Sequence, residues 1–251
     1  MTSVRHWSNV AERFLALFYP NVCQICREEE ARADEGYVCA QCWSKRDGVQ
    51  FIVPPYCTCC GLPFDGEITV TFECGNCREE EFHFRSARAA VKLSGLVQDV
   101  VHRYKYNQAA WFEPFLTDLL VRQATPTLSR ERWDWIVPIP LHWMKLHSRS
   151  FNQSLRLARA LSQATCIPVK TSLLRRTEPT RTQTRLTRAQ RTENVKRAFN
   201  FCGRVPLKGD RIVLLDDVLT TGATANACAK LLMQNGASVV DVWTVARGVL
   251  R

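Results

Sequence analysis

Residues 211 to 224 read Arg-Ile-Val-Leu-Leu-Asp-Asp-Val-Leu-Thr-Thr-Gly-Ala-Thr, and they join three unlike requirements in one short stretch. The apolar run Ile212, Val213, Leu214, Leu215 is short and β-branched at its start, as expected of a strand buried on both faces of a parallel sheet. The run ends in two carboxylates, Asp216 and Asp217. At the carboxyl end of such a strand they face the crevice where open α/β sheets bind ligands, with oxygens suited to ribose hydroxyls or a hard cation. Thr220, Thr221, Gly222, Ala223 and Thr224 then supply hydroxyls and a glycine turn ahead of a helix whose positive dipole end favours an anion. Helix capping or turn chemistry explains each piece alone. The three in this order indicate a phosphorylated sugar.

Working outward, Ala223 to Gln234 has helical spacing and ends at Asn235 and Gly236, and Val239 to Val245 is a further strand. Upstream, residues 84 to 93, Trp135 to Ile139 and Val169 to Leu174 have strand character, with Pro138 and Pro140 barring a regular continuation of the second. Leu96 to Tyr104 and Phe151 to Leu161 have helical spacing. Strands alternating with helices predict a parallel α/β sheet.

Nine of the twelve cysteines lie between Cys23 and Cys77, and eight of these form four Cys-x-x-Cys pairs. The pairs are Cys23 with Cys26, Cys39 with Cys42, Cys57 with Cys60, and Cys74 with Cys77. Twelve and then thirteen residues separate the pairs, a spacing that predicts two structural Zn2+ sites of four thiolates each rather than disulfides. Either sequential or interleaved use of the pairs satisfies the spacing. Cys59 is a spectator, and Cys166, Cys202 and Cys228 have apolar, core-like neighbours.

The predicted organisation is an amphipathic helix in residues 1–20, zinc ribbons in 21–80, and an α/β domain in 81–251. Ser8 caps the helix, with Val10, Phe14, Leu17 and Phe18 on one face. Its apolar patch is short and preceded by Glu12 and Arg13, unlike a signal peptide, and no stretch matches a membrane span, so a cytoplasmic protein is expected.

Charge is concentrated. Leu141 to Asn200 holds thirteen Lys and Arg against two Glu, so this segment's +11 exceeds the +10 of the whole chain. Arginines such as Arg181, Arg185, Arg188 and Arg191 suit a lid over a ligand bearing several negative charges. A surface for single-stranded DNA is the rival, but Thr171 to Ala198 contains no aromatic residue for base stacking.

Residues 212 to 224 resemble the 5-phosphoribosyl-1-pyrophosphate (PRPP) signature of type I phosphoribosyltransferases, and the chain as a whole resembles the ComF family. Arg149 to Gln153 resembles that family's Arg-Gly-Phe-Asn-Gln segment, with Ser150 at the glycine position. Pro138 to Pro140 resembles its pyrophosphate-side loop, and Thr182 to Phe199 its Gln, Arg, Asn and Ala-Phe stretch. The resemblance implies a type I phosphoribosyltransferase fold behind a double zinc ribbon with sequential cysteine pairing. It implies PRPP binding with Mg2+, a catalytic role for Asp216 and Asp217, and contacts from Thr220 to Thr224, Lys105, Arg149, Arg181 and Arg191. It also implies a link to DNA uptake and competence. Two functions remain open: a pentosyltransferase whose acceptor the sequence does not identify, and a non-enzymatic PRPP- or nucleotide-sensing partner of DNA-uptake proteins or single-stranded DNA.

Overall fold

The computed structural model describes residues 21–64, 66, 71–142, 144, 151–177 and 198–248. The predicted helix in residues 1–20 and the side chains of Arg149, Arg181 and Arg191 lie outside the described residues.

Two short helices, α1 (Ala40–Ser44) and α2 (Gly75–Glu79), each begin at a cysteine, Cys39 and Cys74. The α/β portion then runs β1 (Ser86–Lys92), α3 (Gly95–Tyr106), α4 (Glu113–Leu128), β2 (Trp135–Pro138), α5 (Gln153–Thr165), β3 (Leu174–Arg176), β4 (Phe199–Phe201), β5 (Arg211–Leu219), α6 (Ala223–Gln234) and β6 (Val239–Arg247). Four strands form one parallel sheet in the order β1-β6-β5-β2.

The unbroken apolar run of β5 follows from burial on both faces. Val213 and Leu215 pack into a core with Val100 of α3, Leu119 of α4 and Leu157 of α5. Ile212 and Leu214, one residue out of phase, pack against Cys228 and Leu232 of α6. Each fully buried aliphatic side chain contributes roughly 1.5–3 kcal/mol, so a polar residue in 212–215 is not tolerated by either layer.

The structure corrects several sequence expectations. The strand does not stop at the carboxylates: β5 continues to Leu219, still paired with β6. Val169 makes one parallel bridge to Ile136, but Leu174–Arg176 turns away to pair antiparallel with Phe199–Phe201, so 169–174 is not one strand. Cys166 and Cys202 are exposed, and of the three outlying cysteines only Cys228 is buried. Helix α4 is absent from the elements predicted by sequence; it carries Pro114 in its first turn and Pro126 inside its last, where few hydrogen bonds are lost.

The cysteine-rich segment is built into the main core. Cys23, Val38, Cys39 and Cys42 share one apolar cluster with α3 and α4, and Trp43 meets Phe115 edge-on at 5.0 Å. Between the two cysteine sets, the chain runs along the edge of β1, with Ile52 N–H donating to Ala90 O at 2.9 Å and Lys92 N–H to Gln50 O at 2.8 Å.

Candidate functional site

The two cysteine sets are closed. The sulfurs of Cys23, Cys26, Cys39 and Cys42 lie within 4.8 Å of one another, as do those of Cys57, Cys60, Cys74 and Cys77, so pairing is sequential. Sulfurs on a tetrahedral zinc at 2.3 Å stand about 3.8 Å apart. Cys23 and Cys42 are 3.8 Å apart, Cys26 and Cys39 3.8 Å, Cys57 and Cys77 3.7 Å, and Cys60 and Cys74 3.7 Å. Those separations fit zinc and are far too long for disulfides. Backbone amides stabilise thiolate: N–H groups of Glu29 and Glu28 bring Cys26 down to about 6. Burial pushes Cys57 up, but the N–H groups of Cys60, Cys74 and Cys59 outweigh it and hold Cys57 at about 7. Cys59 belongs to neither set. These are two structural Zn2+ sites.

The second site lies at the carboxyl ends of the parallel strands. A cleft of ≈ 180 Å³ is lined by Lys105 from α3, Pro140, Ser154 from α5, Arg176 from β3 and the run Asp216 to Ala225. Asp217 continues the face of Val213 and Leu215, toward α3, and there meets Lys105 Nζ at 2.8 Å. Both side chains are largely buried, at 18% and 11% exposure. Asp216 Oδ1 accepts from Ser154 Oγ at 2.9 Å and from the Asp217 N–H at 2.9 Å. Burial and the neighbouring Asp217 charge push Asp216 up to about 6, against the opposing pull of Lys105 and these two donors. The cleft therefore holds two carboxylates, one pre-paired with a cation and one whose charge burial and its neighbour disfavour.

Ser154 is placed by a cap. Asn152 Oδ1 accepts from the N–H groups of Ser154 and Leu155, which starts α5 and aims the serine hydroxyl at Asp216. The Phe151-Asn152-Gln153 segment is legible in sequence, whereas Ser154 escapes it; its place in the first turn of that helix is the available signal.

The loop after β5 closes with Gly222 in the left-handed region, φ 83°, as N-cap of α6. A Cβ there would come within 3.3 Å of the Phe82 ring. The glycine turns the chain so that the first amides of α6 face the cleft, with Thr221 Oγ1 accepting from Ala223 N–H at 3.3 Å. A helix N-terminus, hydroxyls and a lysine-paired acid now share one cleft, the geometry of an anion site beside a diol site.

Of the residues expected from sequence, Asp216, Asp217, Lys105 and Thr220 to Thr224 come together here. Arg176, part of the basic segment, also reaches the cleft. Arg247 is outside the sequence expectations; it is buried at the end of β6, with its guanidinium against Leu219 and Thr220.

A family model described as a double zinc ribbon domain matches residues 14–79. DNA utilization protein YhgH of Escherichia coli (strain K12) is 30% identical over 235 residues, covering 92% of this chain and 99% of that protein. Competence protein F of Haemophilus influenzae is 31% identical over 199 residues, 77% of this chain and 85% of the relative. Among solved structures, adenine phosphoribosyltransferase from Leishmania tarentolae is similar with a TM-score of 0.36 at 20% identity, covering 58% of this chain and 62% of that one. Among the described residues, no helix is long and apolar enough to cross a membrane. The relatives matched at 30% and 31% identity over most of both chains identify this chain, with its parallel α/β sheet and two four-cysteine sites, as a member of the ComF family.

Proposed function

We propose that the chain binds PRPP with Mg2+ in the β5–α6 cleft and transfers the phosphoribosyl group to an acceptor, as a cytoplasmic contributor to DNA utilisation or uptake. The observation that carries this reading is the Lys105–Asp217 ion pair standing beside Asp216 and the glycine-turned N-terminus of α6. An acceptor nucleophile attacks the anomeric carbon, the bond to pyrophosphate breaks, and pyrophosphate leaves with the electron pair. Positive charge develops on the ribose ring meanwhile. Asp216 and Asp217 hold the ribose hydroxyls and stabilise that charge, while Thr220 to Thr224 grip the 5-phosphate through hydroxyls and amides. Mg2+ supplies neutralisation of the leaving pyrophosphate, to which Lys105, Arg149, Arg181 and Arg191 are assigned as well. In this reading residues 21–80 support and residues 81–251 carry the site.

Calorimetric titration of the full chain with PRPP, with and without Mg2+, tests the binding. Saturable, Mg2+-dependent binding that weakens in Asp217→Asn supports it; no binding by the parent chain refutes it. A second reading is favoured by the relatives' names, which concern DNA utilisation and competence rather than a reaction. There the chain senses PRPP or a nucleotide, or binds single-stranded DNA, without turnover. Pyrophosphate release across a panel of purines, pyrimidines and small amines separates transferase from sensor. Neutralising Arg181, Arg185, Arg188 and Arg191 together separates the ligands of that segment: a pyrophosphate lid loses PRPP far more than ribose 5-phosphate, whereas a nucleic-acid surface loses DNA affinity and its salt dependence.

A further inference from the structure

Arg247 joins the second cysteine set to the phosphate loop. It ends β6 with only 5% of its surface exposed, opposite Leu219 in the strand register. Its Nε–H donates to Cys60 O at 3.2 Å and Nη2 to Cys60 Sγ at 3.6 Å. On the other side Nη1 is shared among Leu219 O at 3.2 Å, Gly248 O at 2.8 Å and Thr220 O. A guanidinium has five N–H donors in a fixed plane, so this fork spans the two partners rigidly in a way a lysine does not. The ligand loop begins at Thr220, whose own carbonyl is one of those anchored.

Two further contacts tie the same elements together. Asn226, in the first turn of α6, accepts from His83 N–H at 2.7 Å and donates to Glu81 O at 2.9 Å, gripping the chain that leaves Cys77. Phe82, in that gripped segment, has its ring 3.3 Å from where a Cβ on Gly222 would stand. The ribbon turn is seated hard on the sheet: a Cβ on Gly61, φ +64°, would lie 2.5 Å from Ala87 O.

The charge logic gives the link a direction. Four thiolates on one Zn2+ carry two net negative charges, and a buried guanidinium beside one of them is balanced by that site. When the metal leaves and the four cysteines separate, the Cys60 carbonyl and sulfur that hold one side of the fork are no longer fixed against the Leu219 and Thr220 side. We infer that Arg247 is a positioning residue that couples zinc occupancy at Cys57, Cys60, Cys74 and Cys77 to the shape, and hence the affinity, of the phosphate loop 219–224. Coupling between two sites is reciprocal, so a ligand in the loop must also retain the zinc. The ligand arm rests on the PRPP reading above; the loop arm does not.

The test uses the full chain with both sites zinc-loaded. Thiol alkylation under a zinc chelator is followed peptide by peptide, with Cys23 to Cys42 as internal reference, and hydrogen exchange of residues 219–224 is followed in parallel. In the parent chain, Mg2+–PRPP slows alkylation of the Cys57–Cys77 set at least about fivefold and leaves the reference set within about twofold. Arg247→Met abolishes that difference and speeds loop exchange without ligand, while Arg247→Lys, which keeps the charge and some donors, restores part of both. Equal slowing of the two cysteine sets, or an undiminished ratio in Arg247→Met, overturns the coupling. Should Arg247→Met not fold, the parent ratio and Arg247→Lys decide alone. If the parent chain does not bind PRPP, the function proposal fails, and ligand-free loop exchange still decides: unchanged exchange in Arg247→Lys and Arg247→Met overturns the inference.

Discussion

Replacing Asp216 by Asn should make the folded chain more stable, and increasingly so as pH rises. Asp216 ionises at 3.8 in the unfolded chain and is pushed up to about 6 by burial and by Asp217 in the folded one. A group whose folded value is raised contributes fully below the unfolded value, and that contribution is lost as pH rises through the folded value. Each tenfold change in the ionisation equilibrium corresponds to about 1.4 kcal/mol, so the carboxylate costs about 1–2 kcal/mol at pH 5 and about 3 kcal/mol at pH 7. Asn keeps the acceptor oxygen used by Ser154 and the Asp217 N–H, and carries no charge. Urea unfolding of zinc-loaded parent and Asp216→Asn between pH 5 and pH 8 should show a gap that widens by about 1–2 kcal/mol from pH 5 to pH 7 and then levels off. The zinc sites titrate in both proteins and cancel in the difference. A gap that is flat or shrinks with pH refutes the placement of Asp216 as a desolvated, like-charge-coupled acid. On the PRPP reading proposed above, in which the ionised Asp216 is what would hold the ribose hydroxyls, PRPP affinity of the parent chain should rise as pH passes about 6.

Lys105→Met leaves a largely buried Asp217 without its cation, so it should destabilise the chain by about 3 kcal/mol and drive the Asp216 midpoint further up, measured by carboxylate NMR titration. Gly222→Ala forces a side chain into the left-handed region and onto Phe82; a loss of about 1–2 kcal/mol in urea unfolding, together with weaker Mg2+–PRPP binding, is expected. Native mass spectrometry should find two zinc ions per chain. Because the first cysteine set shares its core with α3 and α4, zinc loss from Cys23–Cys42 should lower the near-UV dichroism of Trp43, which packs on Phe115 of α4.

Two kinds of information are already present in the linear chain. Cys-x-x-Cys spacing and the strand, acid pair, glycine turn and helix start of 211–224 each lie within a short stretch, where backbone geometry alone dictates which atoms can converge. Helix α6 follows its sequence prediction at both ends, since Gly222 and Asn235-Gly236 are local stop signals. Helix α4 is hidden by Pro114 and Pro126, although Phe115, Leu116, Leu119, Leu120, Ala124 and Leu128 keep helical spacing and all are buried. The carboxylate partners are another matter. Lys105 reaches Asp217 and Ser154 reaches Asp216 only because α3 and α5 pack on one face of the sheet. Arg247 is the extreme case: in sequence it is an arginine ending a largely apolar strand, and its partner Cys60 is 187 residues away. A periodic pattern states that a residue is buried, but not what it is buried against. That second fact depends on strand order and on where a zinc ribbon is seated, which only the packed tertiary structure decides.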